Sequence, residues 1–246
     1  MQTIGVIPSR WGSTRFPGKS LFPLCGKPLV RWVVEAVKRA RALDRVIVAT
    51  DDERIAKAVE DLCETAMTDP DLPSGTDRVA VAAKPQPDDV VINIQGDEPL
   101  ISPALIDALA ERMREQPFEM ATAVTPIRSM ADLQARTVVK VVLTQNDEAL
   151  YFSRLPIPCR RDGEADLASG LYFRHLGIYA YRGAFLSRLV QTPPCPLEQT
   201  EKLEQLRALY IGAKIAVIRT EEPGVGVDTP ADAAAMEKLL QERGAV

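Results

Sequence analysis

The chain has 246 residues, of which 46% are hydrophobic and 26% charged, and its formal net charge is −4. This composition is typical of a globular domain and argues against a general basic surface for nucleic acid, against a membrane span and, at residues 1–8, against a signal peptide. Four scattered cysteines without a CxxC pair, together with a single histidine, argue against a Cys/His zinc site and favour reduced thiols in the cytoplasm.

The first half of the chain alternates predicted strands with predicted helices. Short apolar runs bounded by turn residues predict buried strands, and apolar residues at helical spacing predict helices. The predicted strands are 2–8, 45–50 and 89–95, and the predicted helices are 29–43, 51–62 and 103–114. This alternation predicts an open, three-layer, mostly parallel α/β sheet of the Rossmann type, with right-handed crossovers.

The pattern changes after about residue 119, where strands follow one another with few helices between them. The predicted strands are 120–126, 138–143, 149–152, 176–181 and 214–218, and the predicted helices are 197–211 and 230–243. We therefore expect a single domain, 1–246, with a mixed-strand insertion at about 120–180. The polar residues 160–170 predict a mobile surface loop.

The segment PSRWGSTRFPGK, residues 8–19, directly follows the first predicted strand. It contains the glycines Gly12 and Gly18 and the hydroxyl residues Ser13 and Thr14, and it places three cations, Arg10, Arg15 and Lys19, in an acidic chain. Ligands of open α/β sheets lie beyond the carboxyl ends of strands, and amides, hydroxyls and cations together suit a polyphosphate. The alternative is an exposed basic loop. The segment is neither GxGxxG nor a P-loop.

Two carboxylates follow other predicted strand ends and turns. Asp97 lies in QGDEP after the strand at 89–95, where it would face the first loop, and Mg²⁺ held between carboxylates and phosphates would explain that placement. Asp228 lies in GVDTP before the last helix, so helix capping is its alternative role. In SGTDR, residues 74–78, Thr76 or Asp77 is a candidate helix cap.

These motifs, in this order, resemble the sugar-acid cytidylyltransferase family, and within it the enzymes that use Kdo (3-deoxy-manno-octulosonate). The similar segments are PSRWGSTRFPGK (8–19), IVATD (47–51), SGTDR (74–78), NIQGDEP (93–99), ALYFSR (149–154), RHLGIYAY (174–181), PLEQTEKLEQLR (196–207) and GVDTP (226–230). The likeness therefore runs through almost the whole chain.

The resemblance implies a nucleotide-diphospho-sugar transferase-like fold and a reaction of CTP with Kdo. The products would be CMP-Kdo, which is the activated sugar of lipopolysaccharide biosynthesis, and pyrophosphate. It also implies Mg²⁺ as cofactor, held by Asp97 and Asp228, and a homodimer formed through the insertion. CTP and Kdo are thus the expected partners, with no nucleic acid and no membrane.

The resemblance also assigns roles to individual residues. The expected catalytic residues are Arg10, Lys19, Asp97 and Asp228. The expected nucleotide-binding residues are Pro8, Arg10, Ser13, Arg15, Lys19, Ser74, Arg78 and Gln95. The expected sugar-binding residues are Arg154, His175, Tyr179, Glu204 and Gln205. On its own, His175 would be a satisfied core histidine, and Glu204 and Gln205 would lie on a solvated helix face. Glu98 is expected to support its turn.

Other functions remain open at this stage. The sugar acid could be 8-amino-Kdo or sialic acid, although residues 174–181 favour Kdo over sialic acid. A catalytically silent CTP-binding protein would have lost a metal carboxylate or the phosphate lysine, whereas Asp97, Asp228 and Lys19 are all present. A generic uridylyltransferase usually carries a more glycine-rich first loop.

Overall fold

The computed structural model describes residues 1–12 and 16–243. Ser13 and Arg15, two of the predicted nucleotide-binding residues, and their neighbour Thr14 therefore lie outside the described residues. Within the described part of the chain, no helix combines the length and the hydropathy that a membrane crossing requires.

The strands alternate with helices in the first half of the chain and follow one another more closely in the second, as predicted. They are β1 (Thr3–Pro8), β2 (Pro23–Leu24), β3 (Lys27–Pro28), β4 (Arg45–Thr50), β5 (Glu64–Met67), β6 (Val90–Asn93), β7 (Met120–Pro126), β8 (Lys140–Leu143), β9 (Ala149–Ser153), β10 (Phe173–Arg182) and β11 (Ile215–Arg219).

Nine of these strands form the main sheet: seven follow the order β11-β7-β10-β6-β1-β4-β5, and β8 pairs with β10 and carries β9. β1 pairs in parallel with both β4 and β6, and β5 and β11 also pair in parallel with their neighbours. β10 is antiparallel to β6 and β7 and makes the sheet mixed. The parallel strands β1, β4 and β6 therefore end at one edge, where a ligand site is expected.

Helices cover both faces of the sheet and complete three layers. They are α1 (Leu29–Val37), α2 (Glu53–Lys57), α3 (Gly75–Ala83), α4 (Pro103–Glu115), α5 (Met130–Gln134), α6 (Gly183–Gln191), α7 (Pro196–Glu201), α8 (Gln205–Tyr210) and α9 (Pro230–Glu242). Val33, Leu109 and Met236 of α1, α4 and α9 belong to one buried apolar cluster, whereas Val79 and Leu206 of α3 and α8 belong to another. Burial of one apolar stripe per helix gives the predicted three-layer α/β fold.

The single helix predicted at 197–211 is wrong, because the chain forms α7 and α8 instead. Lys202 ends α7 in the left-handed region, with φ at 54°, and its backbone N–H donates to the Glu198 carbonyl. Arg207 of α8 then folds back and forms an ion pair with Glu198 at 2.5 Å. This contact crosses the break, so helical periodicity in the sequence could not reveal it.

Other boundaries also differ from the predictions. The first two predicted helices end early, at Val37 and Lys57, and α6 and β5 were not predicted. The predicted insertion begins on β7 and ends on β10, which are neighbours in the main sheet. The β8–β9 hairpin lies between them along the chain and pairs with β10 through β8. The segment predicted as a mobile loop contains a 3₁₀ turn, Leu167–Ser169. The single-domain assignment and the role of the insertion stay predictions.

We expect Gly183→Ala to destabilise the fold by about 1–3 kcal/mol. Gly183 donates its backbone N–H to the Asp89 carbonyl at 2.8 Å, and a Cβ there would overlap the Gln86 carbonyl oxygen. Because the obstacle is backbone, a side-chain rotation cannot relieve it. Gly75→Ala is the control, since its Cβ would meet nothing within 4 Å. Equal urea midpoints for the two variants would contradict this account.

Candidate active site

A polar cleft opens at the carboxyl ends of β1 and β6, beside the start of α3. Its volume is about 370 Å³, which is within the usual range of a small-molecule site. Eight of the predicted catalytic and nucleotide-binding residues line it, namely Pro8, Arg10, Lys19, Ser74, Arg78, Gln95, Asp97 and Asp228. The structure therefore brings together the whole predicted set that it describes, and Ser13 and Arg15 lie outside the described residues.

An ion bridge joins three segments of the chain at the cleft. The Lys19 ammonium Nζ donates to Asp97 Oδ2 at 2.6 Å and to Asp228 Oδ1 at 3.1 Å. The Lys19 side chain is 15% exposed, so this contact is better shielded from water than an ordinary surface pair. The two carboxylates therefore face one point in the cleft.

The backbone around Lys19 is held from both sides. Gly18 adopts φ +69°, and a Cβ there would lie 2.9 Å from the Trp11 ring, so only glycine suits this position. Gly18 leads into a 3₁₀ turn, Lys19–Leu21, in which the Lys19 N–H donates to the Phe16 carbonyl. One residue further on, Ser20 Oγ accepts a 2.6 Å hydrogen bond from Ser9 Oγ at the end of β1.

The two carboxylates are placed by different local structures. Gly96 lets the chain pass close to β1, since a Cβ there would lie 2.8 Å from the Pro8 carbonyl oxygen. The Val227 N–H donates to the Asp97 carbonyl at 2.9 Å, which ties the two acidic segments together. The capping alternative for Asp228 is wrong, because Thr229 caps α9.

The pair Asp97 and Asp228 suits a magnesium ion. Mg²⁺ takes oxygen ligands and is commonly held by one or two carboxylates together with substrate phosphates. Two carboxylate oxygens that already share one ammonium are close enough to share a cation. Among the described residues no group of three metal-ligating side chains occurs, so the remaining ligands would come from substrate and water.

Arg78 lines the cleft together with Ser74. Its side chain is buried, and its guanidinium contacts Thr68 Oγ1 and lies 3.5 Å from Asp51 Oδ2. Asp51 also accepts the Trp11 backbone N–H at 2.9 Å, so it links the first loop to the end of β4. Sequence reasoning missed this role, although Asp51 ends the family-like segment IVATD.

Ser74, rather than Thr76 or Asp77, caps α3. Its Oγ accepts the Asp77 backbone N–H at 3.2 Å. Thr76 instead donates its hydroxyl to the Glu204 carboxylate. The start of α3 therefore connects the cleft to the predicted sugar-binding residues.

Four of the predicted sugar-binding residues form a partly buried cluster next to the start of α3, namely His175, Tyr179, Glu204 and Gln205. The Tyr179 hydroxyl lies 3.4 Å from Gln205 Oε1, and the Tyr179 ring lies 5.4 Å from the His175 ring, measured between centroids. Gln205 is buried, and the half-buried Glu204 accepts the Thr76 hydroxyl, so neither residue lies on the solvated helix face that was the alternative. Burial, and to a lesser degree the Glu204 charge, raises the pKa of Tyr179.

His175 is held inside the protein by Thr122. Its Nε2 lies 2.9 Å from Thr122 Oγ1, and its ring contacts Phe152. Burial lowers the pKa of His175 to about 3, so the imidazole is neutral at physiological pH and a poor proton acceptor there. The geometry is that of the satisfied core histidine that was its alternative role.

Arg154 differs from the other predicted sugar-binding residues. Its guanidinium donates to the backbone carbonyls of Glu201, Lys202 and Arg136, at 2.6 to 3.1 Å. Two of these carbonyls belong to the break between α7 and α8. Arg154 therefore supports the segment that presents Glu204.

Glu98 contributes less negative charge than the sequence suggests. Burial, with a smaller effect of the Asp97 charge, raises the pKa of Glu98 to about 7. Near neutral pH the side chain is partly protonated, which reduces repulsion beside Asp97. Its N–H and carbonyl take part in the turns on either side, as the sequence predicted.

The fold and the cleft agree with comparisons to known proteins. A cytidylyltransferase family model matches residues 4–215. The chain therefore belongs to the cytidylyltransferase family.

The similar relatives within this family are named more narrowly. The 3-deoxy-manno-octulosonate cytidylyltransferase of Bdellovibrio bacteriovorus is 52% identical, over 99% of this chain and 100% of the relative. The protein of the same name in Geobacter sulfurreducens is 45% identical, over 98% and 99%. A solved CMP:2-keto-3-deoxy-manno-octonic acid synthetase complexed with CTP superimposes with a TM-score of 0.92 at 40% identity, covering 99% of this chain and 100% of that one.

We expect His175 to make the fold less stable in mild acid. Its folded pKa of about 3 lies below the unfolded value of 6.5, so the unfolded state takes up a proton that the folded state excludes. Stability is therefore lost as the pH falls below 6.5, by about 1.4 kcal/mol per pH unit. In His175→Gln this loss of stability below pH 6.5 should be absent. The measurement is the unfolding free energy of both proteins from about pH 7.5 to 5.5, and parallel pH profiles would contradict it.

Proposed function

We propose that this chain is a cytidylyltransferase that couples CTP to Kdo and releases CMP-Kdo and pyrophosphate. The relatives that cover nearly its whole length carry that activity in their names, and the solved relative was captured with CTP. The observation in the structure that carries the proposal is the bridge from Lys19 to Asp97 and Asp228. It brings together, in one cleft, the cation that we assign to the phosphates and the two carboxylates that we assign to the metal.

The reaction is a substitution at the α-phosphorus of CTP. The anomeric hydroxyl oxygen of Kdo forms a bond to that phosphorus, the bond to the bridging oxygen of the β-phosphate breaks, and pyrophosphate departs with those electrons. The hydroxyl proton is released to solvent. As in other phosphoryl transfers, positioning and charge stabilisation account for most of the catalysis.

We assign the phosphate contacts to Arg10 and Lys19. Both line the cleft, and both carry donors that offset charge on the triphosphate and on the departing pyrophosphate. Magnesium, when held by Asp97 and Asp228, would supply Lewis-acid polarisation of the α-phosphate and acidify the attacking hydroxyl. Arg78 and Ser74 also line the cleft, and we assign the cytosine base to these two residues.

The sugar acid is assigned to the cluster next to the start of α3. Tyr179, Glu204 and Gln205 offer donors and acceptors for a molecule rich in hydroxyls. Asn93, which pairs with Tyr179 across the sheet, is 3% exposed, and its side-chain oxygen has no hydrogen-bond partner within the described part of the chain. A buried polar atom without a partner costs free energy, so a polar ligand or water at this position would stabilise it.

The wider setting is also part of the proposal. CMP-Kdo would serve as activated Kdo for lipopolysaccharide biosynthesis, and its formation is assigned to the cytoplasm, where CTP is available. We further propose a homodimer through the region around 120–180, which carries the exposed leucines Leu150, Leu155 and Leu171. Exposed apolar side chains of this size favour a partner surface, and sedimentation velocity measures the oligomeric state directly.

The direct test is a pyrophosphate-release assay with matched substrates. CTP, UTP, ATP and GTP are each combined with Kdo, 8-amino-Kdo and sialic acid, with and without Mg²⁺. We expect release with CTP, Kdo and Mg²⁺ together. A preference for 8-amino-Kdo would change the sugar, and no release with any CTP combination would refute the proposed activity.

Asp97→Asn should reduce turnover by roughly a hundredfold or more while changing CTP affinity much less. The asparagine keeps the size of the side chain but removes the charge that would hold the metal during the reaction. The measurements are kcat by pyrophosphate release and the Kd for CTP by calorimetry. Asp61→Asn is the matched control, because Asp61 forms a surface ion pair with Arg31. Near-normal turnover of Asp97→Asn would exclude the metal role.

A further inference from the structure

We propose that Lys19 controls metal entry, because its ammonium occupies the position between Asp97 and Asp228 that a divalent cation needs. This inference rests on the proposed function and deepens it. It states that the lysine has two alternating partners, the carboxylate pair and the triphosphate, and that the metal is held well only after the exchange.

The contacts of Lys19 show direct competition with a cation. Its Nζ lies 2.6 Å from one oxygen and 3.1 Å from the other, so it forms an ion pair with both carboxylates at once. A cation bound to the same oxygens would meet the ammonium at close range, where like charges repel strongly. The bridge must therefore open before both carboxylates can bind a metal.

The exchange requires only a side-chain movement. The backbone on each side of Lys19 is fixed by the Phe16 carbonyl and by the hydrogen bond from Ser9 to Ser20. Lysine carries its charge on a flexible four-carbon stem, so the ammonium can move while its Cα stays in place. Arg10 lines the same cleft, so a triphosphate there would present its oxygens to both cations.

Nucleotide therefore gives the Lys19 ammonium a new partner in place of the carboxylates that the metal would take. When the ammonium turns to the phosphates, it keeps a charge-assisted partner, and it no longer competes with the cation for the two carboxylates. Without nucleotide, the metal must displace Lys19 into solvent at a net cost. The consequence is ordered assembly, in which nucleotide binding raises the metal affinity of the protein.

The test measures Mn²⁺ binding to nucleotide-free protein by the EPR signal of free Mn²⁺. Nucleotide is left out because CTP itself binds Mn²⁺. Lys19→Met and Lys19→Gln should bind Mn²⁺ roughly tenfold tighter than the wild type, since each removes the competing charge. Lys19→Arg keeps the charge and should bind as weakly as the wild type. Two neutral variants are used so that the test still stands if one of them misfolds, and circular dichroism detects such misfolding.

Two controls locate the effect. Lys27→Met removes a lysine that forms a 2.5 Å ion pair with Glu35 elsewhere in the chain, and it should leave Mn²⁺ binding unchanged. Adding Asp97→Asn to Lys19→Met should abolish the gain. Neutral variants that bind Mn²⁺ within about twofold of the wild type, or a gain that survives Asp97→Asn, would overturn the proposal.

The outcome is separable from that of the proposed function. Wild-type protein that makes CMP-Kdo, together with neutral Lys19 variants that gain no Mn²⁺ affinity, would refute metal control by Lys19 and leave the activity established. Wild-type protein that fails to make CMP-Kdo, together with variants that gain affinity, would refute the activity and support the competition between Lys19 and the metal.

Discussion

The bridge from Lys19 to Asp97 and Asp228 is the contact on which the site depends. Its partners lie 78 and 209 residues from Lys19 in the chain. They meet because β1 and β6 are adjacent and parallel, so the segments that follow these strands emerge at the same edge of the sheet. The segment before α9 brings Asp228 to the same place. Like charges on Asp97 and Asp228 would repel if the lysine were absent, so the lysine also stabilises the arrangement.

Charged side chains in and next to the cleft are stabilised either by an ion pair or by a shifted pKa. Arg78 is buried beside Asp51 and Thr68, where an unpaired guanidinium would be costly. Glu98 avoids a second full negative charge beside Asp97 through its raised pKa. Among the described residues, Arg10, Lys19, Asp97 and Asp228 also line this cleft.

β10 connects the sheet to the cluster of predicted sugar-binding residues. It pairs with β6 and β7, and its register against β7 shifts between Leu176 and Tyr179. Gln95, in the loop after β6, donates to the Gly177 carbonyl within this irregularity at 2.8 Å. Irregularities of this kind redirect side chains near active sites. Tyr179 thus lies beside Gln205, while His175 faces Thr122 in the interior.

The sequence by itself determined the α/β class, the strands at 45–50 and 120–126 to the residue, and the loops that form the cleft, because apolar periodicity and glycine-rich turns are local properties of the chain. It also carried the family resemblance. Only the tertiary structure decided the break at Lys202, the partners of Arg154, the burial of His175 and the roles of Asp51 and Thr229. Each of these follows from contacts between distant segments, or from which of several adjacent polar residues takes a cap. Local pattern does not encode such choices, because their free energies depend on the packed environment.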